Sequence, residues 1–189
     1  MPPRLAKQAE RGEIDLAFHI TSPDADNFHQ QPLFTEHYVL VGRKDHPRLK
    51  RWPTLVQFCT LEHVIVSPDS GGFSGPTDAA LAELGMKRRV GLSVPHFLFV
   101  RSVLATTDLV AVQPFRLAKH WPELRVVAPP IDVPGYEMSM FWHERVHRDP
   151  AHRWLREFIV KSCLKEWRPC VFAESRLMMF SHDRLYRYY

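Results

Sequence analysis

The chain has 189 residues, of which 45% are hydrophobic and 24% charged, so its composition is that of a globular domain with a real core. Most of the formal net charge of +4 lies after residue 160, and the nearly balanced remainder argues against a clustered basic face for nucleic acid. The three cysteines, an odd number without regular spacing, do not predict a disulfide framework and favour a reducing cytoplasm. The N-terminal residues do not predict a signal peptide or a membrane span.

The predicted elements begin with a helix. Helical spacing of apolar residues predicts this helix over residues 4–11, and Gly12 is a suitable terminator for it. IDLAF at residues 14–18 then predicts a short buried strand. After a polar loop, β-branched and aromatic residues predict a strand over residues 33–42, and a short helical piece follows at 54–59.

Strands and helices alternate through the rest of the chain. The predicted strands are HVIVS, VGLSV, DLVAVQP, LRVVA and YEMSMFW, and the predicted helices start at Thr77, Phe97, Pro114 and Pro150. The helix from Thr77 is closed by Gly85, and the helix from Pro150 carries Trp154, Leu155, Phe158 and Ile159 on one face. This alternation predicts an α/β fold with a mostly parallel sheet.

Two loops follow predicted strands at the edge where open α/β sheets bind ligands, at residues 67–75 and 95–97. Their backbone N–H groups, together with Ser67, Ser70, Ser74 and His96, could face a small carboxylate or phenol. The imidazole of His96 both donates and accepts hydrogen bonds, which suits such a ligand. The alternative for His96 is that it caps the following helix or packs at the surface.

His143, Glu144 and His147 match H-E-x-x-H, the motif of zinc hydrolases. The alternating pattern of YEMSMFW before it predicts a strand, which would separate the two histidines by about 13 Å rather than place them on one helix face. A zinc hydrolase is therefore a remote alternative. The sequence predicts no other catalytic set, no metal and no cofactor.

Several segments in their order resemble one family. GEIDLAF, LFTEHYVLVGRKDHP, VPHF with TDLVAVQP, and FWHERVHRDPAHRWLREFI resemble the effector-binding domain of LysR-type transcriptional regulators. The resemblance covers residues 5–159, and the nearest branch looks like the one that senses aromatic compounds and flavonoids. Each motif alone is modest, but their shared order and spacing are specific.

The resemblance implies two lobes of the periplasmic-binding-protein type II, with a small aromatic or carboxylate effector between them. Residues 1–62 and 131–166 would form the first lobe, residues 63–130 the second, and residues 167–189 a tail that resembles nothing in the family. Carried onto this sequence, the matching cleft positions are the loop after HVIVS, the VPHF turn and one residue of MFWH. The full set of expected effector-binding residues is Ser67, Ser70, Gly72, Ser74, Pro95, His96, Phe97 and Phe141.

The resemblance also implies that the chain is truncated. The family's DNA-binding domain has no counterpart here, and neither do the first strand, first helix and second strand of its first lobe, which is therefore expected to be incomplete. DNA would be contacted only through that missing domain, and the homo-oligomer usual in the family would be impaired.

The predicted function is a ligand-sensing module that controls transcription, not an enzyme, in the cytoplasm and with no membrane partner. The alternative from another class is a solute-binding protein of a transporter, which shares the two-lobed architecture but would need an export signal.

Overall fold

Eight strands form two separate sheets in the computed structural model, which describes residues 3–21, 27–67 and 72–165 of the chain. The strands are β1 (Ala17–Ile20), β2 (Phe28–Glu36), β3 (Tyr38–Arg43), β4 (Glu62–Val66), β5 (Arg89–Val94), β6 (Leu109–Pro114), β7 (Leu124–Val127) and β8 (Tyr136–His143). The helices are α1 (Pro3–Glu10), α2 (Leu55–Thr60), α3 (Pro76–Glu83), α4 (Phe97–Thr106), α5 (Phe115–Ala118) and α6 (Pro150–Lys165). Alternating strands and helices confirm the predicted α/β class.

The larger sheet has the strand order β5-β4-β6-β3-β7. β4 runs parallel to β5 and β6, whereas β3 runs antiparallel to β6 and β7. The larger sheet is therefore mixed, which corrects the expectation of mostly parallel sheets. The reason is that β3 lies between β6 and β7 and runs antiparallel to both. A simple alternation of strands and helices would instead have placed β6 and β7 side by side.

Two hydrophobic cores cover the two faces of this sheet. Side chains alternate across β3, so Val39 and Val41 enter one core and Leu40 enters the other. The first core is completed by Val100 and Leu104 of α4, and the second by residues of α2 and α3. Burial on both faces explains why this strand reads as a nearly continuous apolar run.

The smaller sheet has the order β1-β8-β2, and both of its pairings are antiparallel. The sequence predicted one strand over residues 33–42, but the chain forms two strands there, which belong to different sheets. Residues 38–62 accordingly share hydrogen bonds and packing with the five-stranded sheet, whereas the sequence had assigned them to the first lobe.

The break between β2 and β3 directly follows Glu36, whose side chain is buried. Its carboxylate accepts a hydrogen bond from the His37 N–H at 2.9 Å. Gly135, just before β8, lies against this point, because a Cβ at that glycine would come within 2.2 Å of the Glu36 carbonyl oxygen. The two chain segments that join the sheets therefore run side by side, and only glycine permits this approach.

The predicted helix terminators are confirmed. Gly12 and Gly85 have positive φ angles of 77° and 64°, which only glycine adopts without strain. After α1, the Glu13 N–H donates to the Gln8 carbonyl at 2.9 Å, and after α3 the Met86 N–H donates to the Leu81 carbonyl at 2.9 Å. Both bonds satisfy carbonyls that the helix end would leave unpaired.

Residues 148–165 belong to a second unit, in which α6 begins where the sequence predicted. Asp149 caps the helix by accepting the His152 N–H at 2.7 Å. Trp154 and Phe158 stack at 5.5 Å on the predicted apolar face and are exposed. The predicted tail at 167–189 lies outside the described residues. No described helix combines the length and apolarity needed to cross a membrane.

Hydrogen exchange is expected to differ between the two sheets. β6 lies inside the five-stranded sheet, and Val110 and Ala111 are fully buried, whereas β1 has four residues, an alternating exposure pattern and the outer position of its sheet. Amides of Val110 and Ala111 should exchange more slowly than those of Phe18 and His19 by about 100-fold or more. Native-state exchange followed by NMR measures this ratio, and equal, high protection in both strands would contradict it.

Candidate functional site

A cavity of about 80 Å³, partly open to solvent, lies at the carboxyl ends of the parallel strands β4 and β6. The helices α3 and α4 begin beside it, which is the usual arrangement of ligand sites in open α/β sheets. Its lining residues are Tyr38, Val64, Ile65, Val66, Gly75, Pro76, Thr77, Arg88, Phe97, Val112 and Gln113.

The first turn of α3 forms one wall of the cavity. Gly75 precedes the helix in extended backbone, and Pro76 takes the first helical position, where its missing N–H leaves no bond unmade. Asp78 turns back and accepts the Gly75 N–H at 2.8 Å. This closed turn holds the buried side chain of Thr77 at the cavity wall.

A bidentate ion pair between Arg88 and Asp78 fixes this turn. The Nε and Nη2 atoms of Arg88 donate to the two carboxylate oxygens of Asp78, each at 2.8 Å, and the Arg88 side chain is 3% exposed. Burial alone would raise the pKa of Asp78, but the hydrogen bonds and charge of Arg88 outweigh it and the pKa is lowered. The pair is neutral overall, so the positive charge of Arg88 is compensated.

His63 of β4 lies beneath the ion pair and is fully buried. Its Nε2–H donates to the Phe58 carbonyl at 2.9 Å, while Nη1 of Arg88 donates to its Nδ1 at 3.5 Å. Burial lowers the pKa of His63 to about 4; the bond to the Phe58 carbonyl opposes this shift, and the charge of Arg88 adds to it. The imidazole is therefore neutral near pH 7.

Two hydroxyls and one amide supply the uncharged polar groups of the cavity, from Tyr38, Thr77 and Gln113. Burial, and secondarily the charge of Glu36, raise the pKa of Tyr38, so its hydroxyl stays protonated. Gln113 is 1% exposed. The remaining walls are apolar, as expected for a site that encloses a small organic ligand.

A match between this chain and a family model identifies the domain that contains the cavity. The model of the LysR substrate binding domain matches residues 1–164, most of the chain. The chain belongs to the LysR substrate-binding domain family. This confirms the resemblance on which the sequence analysis relied.

The relatives of this LysR domain include two transcriptional activators. It is 38% identical over 161 residues to the HTH-type transcriptional activator NagR of Ralstonia sp., matching 83% of this chain and 53% of that protein. It is 36% identical over 158 residues to the HTH-type transcriptional activator NahR of Pseudomonas putida, matching 82% of this chain and 52% of that protein. The chain thus spans about half the length of the curated relatives it matches.

Solved structures agree with the fold of this LysR domain. A protein from Pseudomonas aeruginosa described as a probable transcriptional regulator superposes with a TM-score of 0.70 at 28% identity, covering 82% of this chain and 53% of that one. The regulatory domain of MexT, a transcriptional activator of the same species, gives 0.66 at 29% identity and covers 83% of this chain and 76% of that one. The predicted α/β fold of the periplasmic-binding-protein type II is confirmed.

Gly72, in the loop after β4, is held by Ser67 and by Ser93 of β5. The Ser67 Oγ accepts the Gly72 N–H at 3.0 Å, and the Ser93 Oγ donates to the Gly72 carbonyl at 2.9 Å. The Ser67 N–H pairs with the Val94 carbonyl at 2.9 Å. Ser67 and Gly72 therefore shape the loop beside the cavity, Ser74 is exposed, and Ser70 lies outside the described residues.

The turn before α4 brings Phe97 to the cavity, where its side chain lines the wall. Pro95 and His96 are exposed at the same turn. His96 occupies the N-cap position of α4 but makes no side-chain capping bond there, and its ring stacks on Phe99 at 6.3 Å. The imidazole edge is thus available beside the start of a helix, where partial positive charge accumulates.

Phe141 does not join the other predicted residues. It lies in β8 of the three-stranded sheet, opposite Ala17 of β1, and is 1% exposed. Its ring meets His19 edge-on at 6.4 Å. Since it does not line the cavity, a ligand there would not touch it in this conformation.

Sequence reasoning missed Tyr38, Thr77 and Gln113 as site residues. Thr77 was predicted only as the start of a helix, but Gly75 precedes the helix and Thr77 lies inside its first turn. Gln113 carried a usable signal, because it is the one polar residue in the strand LVAVQP. Tyr38 carried none, since an aromatic residue at the start of a strand is ordinary.

The H-E-x-x-H residues of this LysR domain do not share one helix face. β8 ends at His143, and Glu144–Val146 form a single 3-10 turn. The Nδ1 of His143 accepts the Arg145 N–H at 3.2 Å, Nδ1 of His147 accepts the Trp142 indole N–H at 3.1 Å, and Glu144 pairs with His29. Arg145 meanwhile donates to the Ala9 carbonyl at 2.9 Å, so the motif fastens the end of α1.

His63 is expected to make the fold acid-sensitive. Its pKa of about 4 in the folded state lies below the value of 6.5 for a free histidine, so the unfolded state takes up its proton first. The stabilisation is fully present above pH 6.5 and is lost as the pH falls towards 4. This group should account for a loss on the order of 3 kcal/mol in the free energy of unfolding across that interval.

The matched variant is His63→Gln, which keeps an N–H donor towards the Phe58 carbonyl and does not titrate. Urea unfolding at pH 7, 6, 5 and 4 should show a flatter pH profile for the variant than for the wild type. Parallel profiles would mean that His63 does not titrate as its surroundings indicate.

Proposed function

We propose that this chain is the effector-binding module of a LysR-type transcriptional regulator, in which a small aromatic or carboxylate effector controls transcription. The observation that carries the proposal is the family match over residues 1–164, together with a cavity at the strand ends where such folds take ligands. Its role would be sensing rather than catalysis.

The chemistry of the cavity supports an aromatic effector. Val64, Val66, Val112 and Phe97 provide apolar contact, and one ring needs little more than such walls and a few polar groups for orientation. The exposed His96 at the start of α4 could pair with an anionic group of the same effector outside the cavity.

The wider setting is also a proposal. The two sheets would be the cores of two lobes, and effector binding would bias their arrangement. Because the matched relatives are named as HTH-type activators and this chain matches only about half the length of each, it would act within a longer regulator that contacts DNA in the cytoplasm and works as a homo-oligomer.

A solute-binding protein of a transporter is the competing function, since that class shares the architecture. The names of the matched relatives favour regulation. Thermal unfolding of the purified chain distinguishes the ligand classes: benzoate and phenol at millimolar concentration should raise Tm, because a ligand of the folded state stabilises it by mass action. Stabilisation by sugars or amino acids and not by the aromatic compounds would favour transport.

Replacing His96 with alanine should weaken benzoate binding. Loss of a charge-assisted hydrogen bond costs about 1.5–3 kcal/mol, or about ten- to a hundredfold in Kd. Isothermal titration measures the change. The control is Leu98→Ala, an exposed residue of the same helix, which should leave Kd unchanged. Equal affinities of the wild type and His96→Ala for benzoate would show that His96 has only a structural role at the start of α4.

A further inference from the structure

Gln113 presents a hydrogen-bond acceptor that the folded chain leaves unused. Its side chain is 1% exposed and lines the cavity from β6. Among the buried side-chain nitrogen and oxygen atoms of the described residues, its Oε1 is the one without a hydrogen-bond partner. Buried polar atoms are almost always paired, so an orphan oxygen on a residue that lines a cavity is a candidate contact for a ligand.

The orientation of the Gln113 amide follows from the hydrogen bond that its nitrogen makes. Nε2 of Gln113 donates to the Val112 carbonyl at 2.9 Å. Exchanging the nitrogen and oxygen would place two acceptors against each other at that distance, which is repulsive. The unpaired atom is therefore the oxygen, and only a donor can satisfy it.

The charges around the cavity decide which donor fits. Arg88, the one cation among the described lining residues, is already bound to Asp78 through Nε and Nη2, and its Nη1 donates to His63. A carboxylate would thus meet no uncompensated positive charge there, and it would approach the partial negative charge of the Gln113 oxygen. A neutral O–H group on an apolar body avoids both costs.

We infer that Gln113 selects effectors that carry a phenolic hydroxyl, which enters the cavity and donates to its Oε1. Valine and phenylalanine walls hold the ring, and the hydroxyls of Tyr38 and Thr77 can donate to the phenolic oxygen in turn. The inference rests on the proposed effector function and names the group that the effector must present. A site built to bond a hydroxyl rejects the analogue without it, because the site's own polar group then stays unpaired.

The test compares phenol with anisole, which keeps the ring and the oxygen but has no donor. Titrations of the full chain followed by amide NMR shifts of Val66, Thr77 and Val112 give both dissociation constants. The wild type is expected to bind phenol at least about tenfold more tightly than anisole. Gln113→Met, of similar size but without the acceptor, should reduce that preference to less than about threefold.

Two further variants locate the effect. Gln113→Leu also lacks the acceptor and should reduce the preference for phenol as Gln113→Met does, whereas a preference kept in both variants would overturn the inference. Thr77→Val removes a neighbouring hydroxyl and should leave most of the preference, so a collapse in Thr77→Val with none in Gln113→Met would assign selection to Thr77 instead.

The outcomes separate this inference from the function on which it rests. Equal affinities of the wild type for phenol and anisole, with shifts at the cavity amides, overturn the role of Gln113 and leave an aromatic site. Absence of shifts at those amides with phenol, anisole and benzoate alike overturns the proposed site together with this inference.

Discussion

The bidentate bridge between Arg88 and Asp78 is the contact on which the candidate site depends. It joins the first turn of α3 to the segment entering β5, and through His63 it reaches β4 beneath them. Removing charged groups from water is costly, and two parallel hydrogen bonds at 2.8 Å are the geometry that offsets this cost best. Because the bridge fixes where α3 begins, it also fixes one wall of the cavity.

The same bridge determines the electrostatic character of the cavity. By compensating Arg88 it leaves hydroxyl and amide groups, with no net charge, to meet a ligand among apolar walls. Any anionic part of an effector is then better placed outside, near His96 and the start of α4. The uncharged polar groups inside the cavity and the helix start outside it would together favour an aromatic effector that carries one neutral polar group and one anionic group.

Sequence patterns predicted most of the elements, because their signals are local. The glycines that end α1 and α3, the proline that starts α6 and the apolar runs of β4 to β7 all act within a few residues. LFTEHYVLVG shows where such reasoning fails. It reads as one strand, yet burial of Glu36 and the close approach of Gly135, 99 residues later in the chain, divide it between two sheets.

The sequence by itself determined the α/β class, the family and the turn that carries His96 and Phe97, because residue types and their spacing fix each of these. Only the tertiary structure decided which residues line the cavity. Phe141 lies in a different sheet, and Ser67 bonds within its own loop. Tyr38, Thr77 and Gln113, which come from three distant segments, line the cavity together. Strand order is set by packing and hydrogen bonding across the whole domain, so no local pattern could have shown that the oxygen of Gln113 lacks a partner.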